Sequence, residues 1–337
     1  MDWLPDTLAP PIPGWLASIA EVLSPFGTDS RLHWTGLTAF VLLGLGVYLW
    51  ERRRGSQHAG LLGFLFPAAL YRTSSSWLDV KVYLAGRMVK PLLGAIALPL
   101  NALIATASAT LVSGMVDSTD SGPPGPATIV AASILVALLH DFSYYVTHRL
   151  SHESALLWPF HKLHHSAEVL TPITAKRDHP VFTFLLASVG VLITAPISGM
   201  VFGLFGVIEF TTIFGLAVLI ALMNITGGAL RHSHIWLDFG PVIDRILISP
   251  AQHQIHHSQA PQHHDRNYGL TLAIWDWMFG TLYVPQGREQ LTFGVADRDG
   301  KPLPQVHRTL REAYLVPFEE AAQVLRGDCQ PLEEEPA

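Results

Sequence analysis

Ten of the chain's 17 histidines lie in four short clusters. The clusters are His148-Arg-Leu-Ser-His152, His161-Lys-Leu-His164-His165, His232-Ser-His234 and His253-Gln-Ile-His256-His257. An α-helix repeats every 3.6 residues, so residues three or four positions apart share a face. His148 and His152 are therefore predicted to stack, and each His-x-x-His-His triplet is predicted to form a narrow fan. Neutral imidazole is the commonest metal ligand in proteins, so this spacing indicates metal binding.

The number of clustered histidines predicts two metal ions. One ion takes about four to six donors, so ten candidates are too many for one ion and suit a pair. An isolated histidine is most often solvated or hydrogen-bonded, and we interpret His33, His58 and His307 in that way because they lie outside any cluster. Imidazole suits iron, zinc and copper, so the ligands alone do not choose the metal.

The composition is that of an integral membrane protein. Of the 337 residues, 49% are hydrophobic and 14% are charged, whereas a soluble domain has about 25% charged residues. The formal net charge of -6 disfavours nucleic acid as a partner. The single cysteine, Cys329, excludes an internal disulfide and a cysteine-based zinc or iron–sulfur site. Residues 1–31 contain several prolines and no basic segment, so we expect an irregular lead-in and no cleavable signal peptide.

Apolar stretches predict an all-α membrane bundle of three spans plus a helical hairpin. A spanning helix needs about 20 mostly apolar residues. The three predicted spans are Leu32 to Trp50, Pro91 to Val116, and Ala127 to about Val146. Val181 to Pro196 and Met200 to Met223 are predicted to form a hairpin with a tight turn at Pro196-Ile-Ser-Gly199. Gly60 to Tyr71 is too short to span and is expected to be interfacial or re-entrant.

The distribution of basic residues predicts the orientation. Cytoplasmic loops carry an excess of lysine and arginine. Residues 51–90 contain seven of them, whereas the loop 117–126 contains two aspartates and no basic residue. We therefore expect 51–90 in the cytoplasm and 117–126 outside. Following the chain, all four histidine clusters then fall on the cytoplasmic side, in a helical cap that carries the dimetal site.

A polar stripe extends the predicted third span into this cap. His140, Tyr144, His148 and His152 follow one another at four-residue steps, and polar groups at membrane depth often mark function. Asp141 either pairs with His140 between helices or orients a ligand histidine from behind. Glu153 and Asp238 are further candidate carboxylates behind the ligands.

Several motifs together resemble the fatty acid hydroxylase/sterol desaturase superfamily over roughly residues 125–285. The motifs are His140-Asp-Phe-Ser-Tyr-Tyr-Val-Thr-His-Arg-Leu-Ser-His152, Leu157-Trp-Pro-Phe-His-Lys-Leu-His-His-Ser166, Pro250-Ala-Gln-His-Gln-Ile-His-His-Ser258, Asn267-Tyr-Gly269 and Trp275-Asp-Trp-Met-Phe-Gly-Thr281. The resemblance implies a membrane oxidase that uses two iron ions and O2 to hydroxylate or desaturate a C–H bond of a lipid. The family's histidine boxes map onto three sets here: His148 and His152; His161, His164 and His165; and His253, His256 and His257.

The resemblance also implies a domain organisation and partners. We expect a lead-in (1–31), membrane spans with an interfacial segment (32–126), a catalytic domain (127–285) and a cytoplasmic tail (286–337). The lipid could be a sterol or other isoprenoid, a fatty acyl chain, or an ether or amino lipid. Reducing O2 needs two external electrons, and the chain shows no flavin, Rossmann, ferredoxin or haem-domain signature. We therefore expect a separate donor of the ferredoxin or cytochrome/reductase type.

The remaining ligands stay open at the level of sequence. A His-x-x-x-His box would pair His234 with position 238, where Asp238 stands instead of histidine. In other branches the box is His-Ser-Asn, which maps onto His232-Ser-His234. At least one of His232 and His234 is therefore expected to bind metal. His179 stands where the family often has His-Pro, and it is expected to line the site.

Two other classes of protein would also use clustered histidines. A zinc-dependent membrane hydrolase is suggested by His148-Arg-Leu-Ser-His152-Glu153, but the zinc-protease helix needs Glu directly after its first histidine, and Arg149 stands there. A non-enzymatic haem or metal-binding membrane protein would also use histidines. Haem would favour histidines paired across spans at bilayer depth, whereas these clusters are predicted on one side.

Overall fold

The chain is helical, with no β-strand, in the residues that the computed structural model describes, namely 34–58, 60–115, 125–205 and 221–328. The predicted all-α class is therefore confirmed for these residues. The helices are α1 (Trp34–Arg53), α2 (Leu61–Leu65), α3 (Ala68–Tyr71), α4 (Ser74–Ser113), α5 (Pro126–Glu153), α6 (Trp158–His165), α7 (Pro180–Phe205), α8 (Gly240–Ile243), α9 (Pro250–His256), α10 (Ile274–Phe279) and α11 (Leu310–Arg326). Short 3-10 helices lie at Pro172–Lys176 and Pro261–His263.

Three long helices form a bundle, in which α4 packs along α7 and α5 packs on the same helix. Within the described residues, two helices are long and apolar enough to cross a membrane, Pro126–Glu153 and Pro180–Val201. Their outward side chains are apolar and exposed, with Ile134 at 54% and Leu192 at 62%, as expected of helices that contact lipid. The three-span count stays a prediction, because α1 and the apolar part of α4, Pro99–Ser113, do not meet the same criterion.

The tight turn predicted at residues 196–199 is wrong, because α7 continues through Pro196 to Phe205. Gly199 and Gly203 serve close helix packing instead of a turn. A Cβ atom on Gly203 would lie 2.6 Å from the Ala109 backbone oxygen of α4, and one on Gly199 would collide with the backbone of Ala105. Glycines four residues apart let apolar helices approach closely, and an apolar surrounding favours an unbroken helix even through proline.

Some predicted features lie outside the described residues. These are the lead-in at 1–31, most of the 117–126 loop, much of the hairpin's second arm, and the end of the tail from Cys329 onward.

We call residues 154–179 and 226–328, which lie outside the three long helices and carry most of the clustered histidines, the cap. Two apolar clusters fix the cap to the bundle. Leu163 of α6 is fully buried against Leu78 and Val82 of α4, and α11 closes this cluster with Ala313. A second cluster packs α1 and α2 against residues 229–235, the segment that carries His232. The start of α4, the end of α5 and the start of α7 therefore meet at one end of the bundle, where all four histidine clusters lie.

The predicted orientation can be tested with single cysteines in a Cys329→Ser background. Met115, just past the end of α4, and Asp299, in the cap, are both exposed. In intact cells, a membrane-impermeant thiol reagent should label Met115→Cys and leave Asp299→Cys unlabelled, because the basic segment 51–90 predicts a cytoplasmic cap. Both cysteines should label in opened membranes. Labelling of Asp299→Cys in intact cells would contradict the orientation.

Candidate metal centre

Five buried imidazoles form the first of two ligand groups. This five-histidine group contains His148 and His152 of α5, His161 and His165 of α6, and His256 of α9. One ring nitrogen of each lies within 4.8 Å of the others. The Nε2 atoms of His161 and His165 are 3.2 Å apart.

Four buried imidazoles form the second group, which lies beside the first. This four-histidine group contains His164 of α6, His232 of the segment before α8, His253 of α9 and His257 just after it. The Nε2 atom of His232 lies 3.2 Å from that of His164 and 3.1 Å from those of His253 and His257. The rings of His165 and His257 stack with centroids 4.5 Å apart, so the two groups adjoin.

Each His-x-x-His-His triplet divides its ligands between the groups, which the predicted fan did not show. In α6, His161 and His165 belong to the five-histidine group and His164 to the other. In the second triplet the division is reversed, because His253 and His257 belong to the four-histidine group and His256 crosses to the first. In each triplet, the two histidines four residues apart belong to one group, and the third histidine belongs to the other group.

The arrangement fits two metal ions. For an ion held at about 2.1 Å, neighbouring ligand nitrogens are about 3.0 to 3.4 Å apart, and the closest Nε2 pairs are 3.1 to 3.3 Å apart. Buried imidazole nitrogens normally find hydrogen-bond partners, yet the Nε2 atoms of His152 and His256 have none among the described residues. Within the described residues, neither group includes a carboxylate or a cysteine.

Burial keeps these imidazoles neutral, which is the form that binds metal. It lowers the pKa of His161, His165 and His257 well below the ordinary value, and the neighbouring imidazoles lower each of them further. Burial also lowers the pKa of His256, to about 4. Neutral imidazoles offer a lone pair on one ring nitrogen, so protons compete weakly with a metal at neutral pH.

Backbone carbonyls turn two of the ligands toward the centre. His148 Nδ1 lies 2.7 Å from the Tyr268 carbonyl oxygen, and His256 Nδ1 lies 2.7 Å from that of Arg266. A carbonyl only accepts, so each Nδ1 carries the hydrogen and each Nε2 keeps its lone pair for a metal. On the other group, Asp178 Oδ1 lies 3.7 Å from His164 Nδ1.

Two buried carboxylates hold the segment that carries these carbonyls. Asp276 accepts hydrogen bonds from the backbone N–H groups of Tyr268 and Gly269, each at 2.8 Å, and from the Thr281 hydroxyl at 2.7 Å. Asp141 of α5 accepts from the backbone of Thr271 and Leu272 and from the Trp275 indole. Asp141 thus holds the segment that faces the ligands. This contact differs from both alternatives that the sequence left open, namely pairing with His140 and orienting a ligand histidine.

A buried ion pair holds the end of α6. Arg177 and Asp79 are fully buried, with Arg177 Nη1 2.9 Å from Asp79 Oδ1. The same guanidinium donates to the Leu163 carbonyl and the Ser166 hydroxyl, which flank His164 and His165. His307 is also buried and lies 3.1 Å from the Ser166 hydroxyl, so it is hydrogen-bonded as interpreted but supports the ligand helix.

Side-chain amides and a guanidinium hold the segment that carries His232. Gln254 of α9 donates to the carbonyls of Leu230 and Ile235 at 3.1 and 2.9 Å. Arg231 is fully buried and donates to the carbonyls of Ile248 and Leu270. These hydrogen bonds hold the backbone before and after His232 and therefore fix the position of its ring.

The other predicted site residues lie outside both groups. His234 points away from the centre, and its Nε2 lies 2.7 Å from the Phe64 carbonyl oxygen. Asp238 contacts the Trp236 indole at the surface, and Glu153 pairs with Arg149. His140 is exposed on α5. His179 packs against Phe160 and the start of α7, with its Nε2 3.2 Å from the Tyr314 carbonyl oxygen. Of the two open candidates, the structure thus places His232 in a group and His234 outside.

A cleft in the surface of the cap opens onto both ligand groups. His152, His165 and His256 of the five-histidine group and His257 of the other line it. Its remaining walls carry mostly polar residues, including Gln259, His264, Asp265 and Arg298, together with Trp158. The cleft therefore connects both ligand groups to a polar surface.

Comparison with known proteins identifies relatives of the region that holds the site. The family described as fatty acid hydroxylase matches residues 133–281, which confirms the family resemblance. An ornithine lipid hydroxylase, OlsE, of Rhizobium tropici is 31% identical over 172 residues, 50% of this chain and 46% of that protein. An alkylglycerol monooxygenase of Xenopus tropicalis is 32% identical over 155 residues, 46% of this chain and 31% of that protein. The matches thus span less than half of these relatives, and no solved structure matches.

The support behind the five-histidine group can be tested with Asp276→Asn. An amide cannot accept all three hydrogen bonds of the carboxylate, so the Tyr268 and Arg266 carbonyls should lose their fixed position. Removing such partners typically lowers metal affinity about 10- to 100-fold. Titration of metal-free protein with Fe2+ should show one of two binding events weakened by about that factor, while the other is largely retained.

Asp238→Asn is the matched control, since that carboxylate is exposed and contacts only an indole within the described residues. It should bind metal as the wild type does. Equal affinities for the two variants would contradict the role given to Asp276.

Proposed function

We propose that this chain, whose residues 133–281 match the fatty acid hydroxylase family, is a member of the fatty acid hydroxylase/sterol desaturase superfamily and an oxidoreductase that uses two iron ions and O2 to oxidise a C–H bond of a membrane lipid. The observation that carries this proposal is the pair of adjoining, buried, all-histidine groups. Structural zinc needs four ligands, and the open zinc of a hydrolase keeps three protein ligands. Nine neutral donors in two groups suit a redox pair better. A haem takes two axial histidines, whereas these two groups together contain nine.

The protein's part in this chemistry is to hold and shield the site. Irons bound there would supply O2 activation and C–H cleavage. The Arg266 and Tyr268 carbonyls keep His256 and His148 in the ligating tautomer. Burial excludes bulk water from the ligands, and the cleft offers a polar path to the surface. Hydroxylation consumes O2, two electrons and two protons and gives the alcohol and water, so a separate reductant of the ferredoxin or cytochrome/reductase type completes the cycle.

The substrate is proposed to be a lipid that stays in the bilayer. The names of the two relatives concern an ornithine lipid and an alkylglycerol, so amino lipids and ether lipids are the first classes to test, followed by sterols and fatty acyl chains. We place the chain in the membrane as a multi-pass protein with its metal centre on the cytoplasmic side, where reductants are available.

The proposal predicts both metal content and turnover. Purified protein should contain more than one iron per chain by elemental analysis. Membranes containing the protein and exposed to oxygen-18 gas should yield a lipid that carries the heavy isotope, detected by mass spectrometry. His148→Ala, His161→Ala, His165→Ala and His257→Ala should each abolish this product, because ligands of one centre act as a unit.

His140→Ala is the matched control on the same helix as His148, since His140 lies outside both groups. It should retain iron and activity. One zinc per chain in a fully active protein would overturn the di-iron assignment, as would normal turnover in two or more of the four ligand variants.

A further inference from the structure

A second apolar surface lies on the cap, on side chains that do not belong to the long helices. Six large apolar side chains are exposed there, although the two helices that carry most of them are short. They are Val242 (72%), Ile243 (47%), Ile246 (50%), Trp277 (62%), Met278 (66%) and Phe279 (46%). We call this set the α8–α10 surface. Clustered apolar exposure of this kind marks a protein or membrane contact.

The six residues form one surface because their segments are paired. Leu247 and Leu272 form an antiparallel bridge. Ala273 N–H donates to the Ile246 carbonyl, and Ile248 N–H donates to the Thr271 carbonyl, both at 2.9 Å. Antiparallel pairing puts the residues before 246 beside those after 273. The short helices α8 and α10 therefore project from the same end of the pair.

The same pair is attached to α5 at the depth of the bilayer. Asp141 accepts hydrogen bonds from the backbone of Thr271 and Leu272, and the Phe142 ring lies 5.0 Å from that of Trp275. At 1.5 Å per residue, Asp141 lies about 22 Å along α5 from Pro126. The hydrocarbon core is about 30 Å thick, so a span that begins at Pro126 still lies within it at Asp141. His148, about 33 Å along, lies just beyond it.

Basic and aromatic side chains border the surface in the way that a lipid interface requires. Arg245 lies two residues after the end of α8, and Arg266 donates to the Gly280 carbonyl at the end of α10, at 3.0 Å. Guanidinium groups pair well with phosphate. Trp275 belongs to α10 and donates its indole N–H to Asp141, and tryptophan is enriched at membrane–water interfaces.

We infer that the α8–α10 surface is covered by the bilayer, with its apolar side chains among the acyl chains of the leaflet nearest the metal centre and its arginines at the phosphates. This contact goes beyond the proposed function and does not depend on which metal is bound. It keeps the five-histidine group close to the hydrocarbon edge, since this group includes His148 of α5.

The inference can be tested by nitroxide labelling in a Cys329→Ser background. Val242→Cys and Met278→Cys place labels on the surface, and both side chains are exposed, so folding should be unaffected. The protein is reconstituted in phosphatidylcholine vesicles, and the label's collisions with O2 and with a water-soluble nickel chelate are compared. Both labels should meet O2 far more often than the chelate, by about tenfold, because O2 concentrates in hydrocarbon and the chelate is excluded.

Asp299→Cys is the control, since Asp299 is exposed in the cap outside this surface. Its label should meet the chelate readily. A chelate accessibility at 242 and 278 equal to that at 299 would overturn the inference. Strong dipolar coupling between labels of two chains at position 278, together with exclusion of both reagents, would overturn it as well and would assign the surface to a second copy of this chain.

Discussion

Nine imidazoles have to be buried side by side without charge, and the rest of the cap depends on this constraint. With Nε2 atoms only 3.1 to 3.3 Å apart, protonated rings would repel one another strongly, and burial would add the cost of removing each charge from water. For two of the rings, the fold meets this constraint by placing a hydrogen-bond acceptor at the ring nitrogen that faces away from the other ligands. The Arg266 and Tyr268 carbonyls do this for His256 and His148. The ligand nitrogens are thereby left facing one another across space that suits ions.

Two of the helices that present these rings, α6 and α9, are too short to be stable alone. An isolated helix below about 12 to 15 residues is marginal in water, and α6 has eight residues and α9 seven. Their geometry comes from buried polar contacts with distant parts of the chain, such as Arg177 with Asp79 and Gln254 with the Leu230 carbonyl. Removing one partner of a buried ion pair costs about 3 to 5 kcal/mol. The same contacts therefore determine the stability of the cap and the shape of the centre.

The histidine spacing alone predicted much of the centre, because helical periodicity fixes which side chains of one helix share a face. It predicted that the His-x-x-His-His triplets lie together, and nine of the ten candidates do. It could not predict how each triplet divides, since that depends on how α6 and α9 face each other. His232 and His234 are separated by one residue, so only the path of their segment decides which faces inward. Arg177 and Asp79 are too far apart in sequence to be paired by pattern. The turn at 196–199 failed because proline and glycine are signals for turns in water, whereas α7 packs in apolar surroundings.

The reciprocal division of the two triplets couples the two ligand groups through the backbone. His164 is carried on the same helix as His161 and His165, and His256 on the same helix as His253. A rotation of either short helix would therefore move ligands of both groups at once, so neither group can change its shape independently of the other.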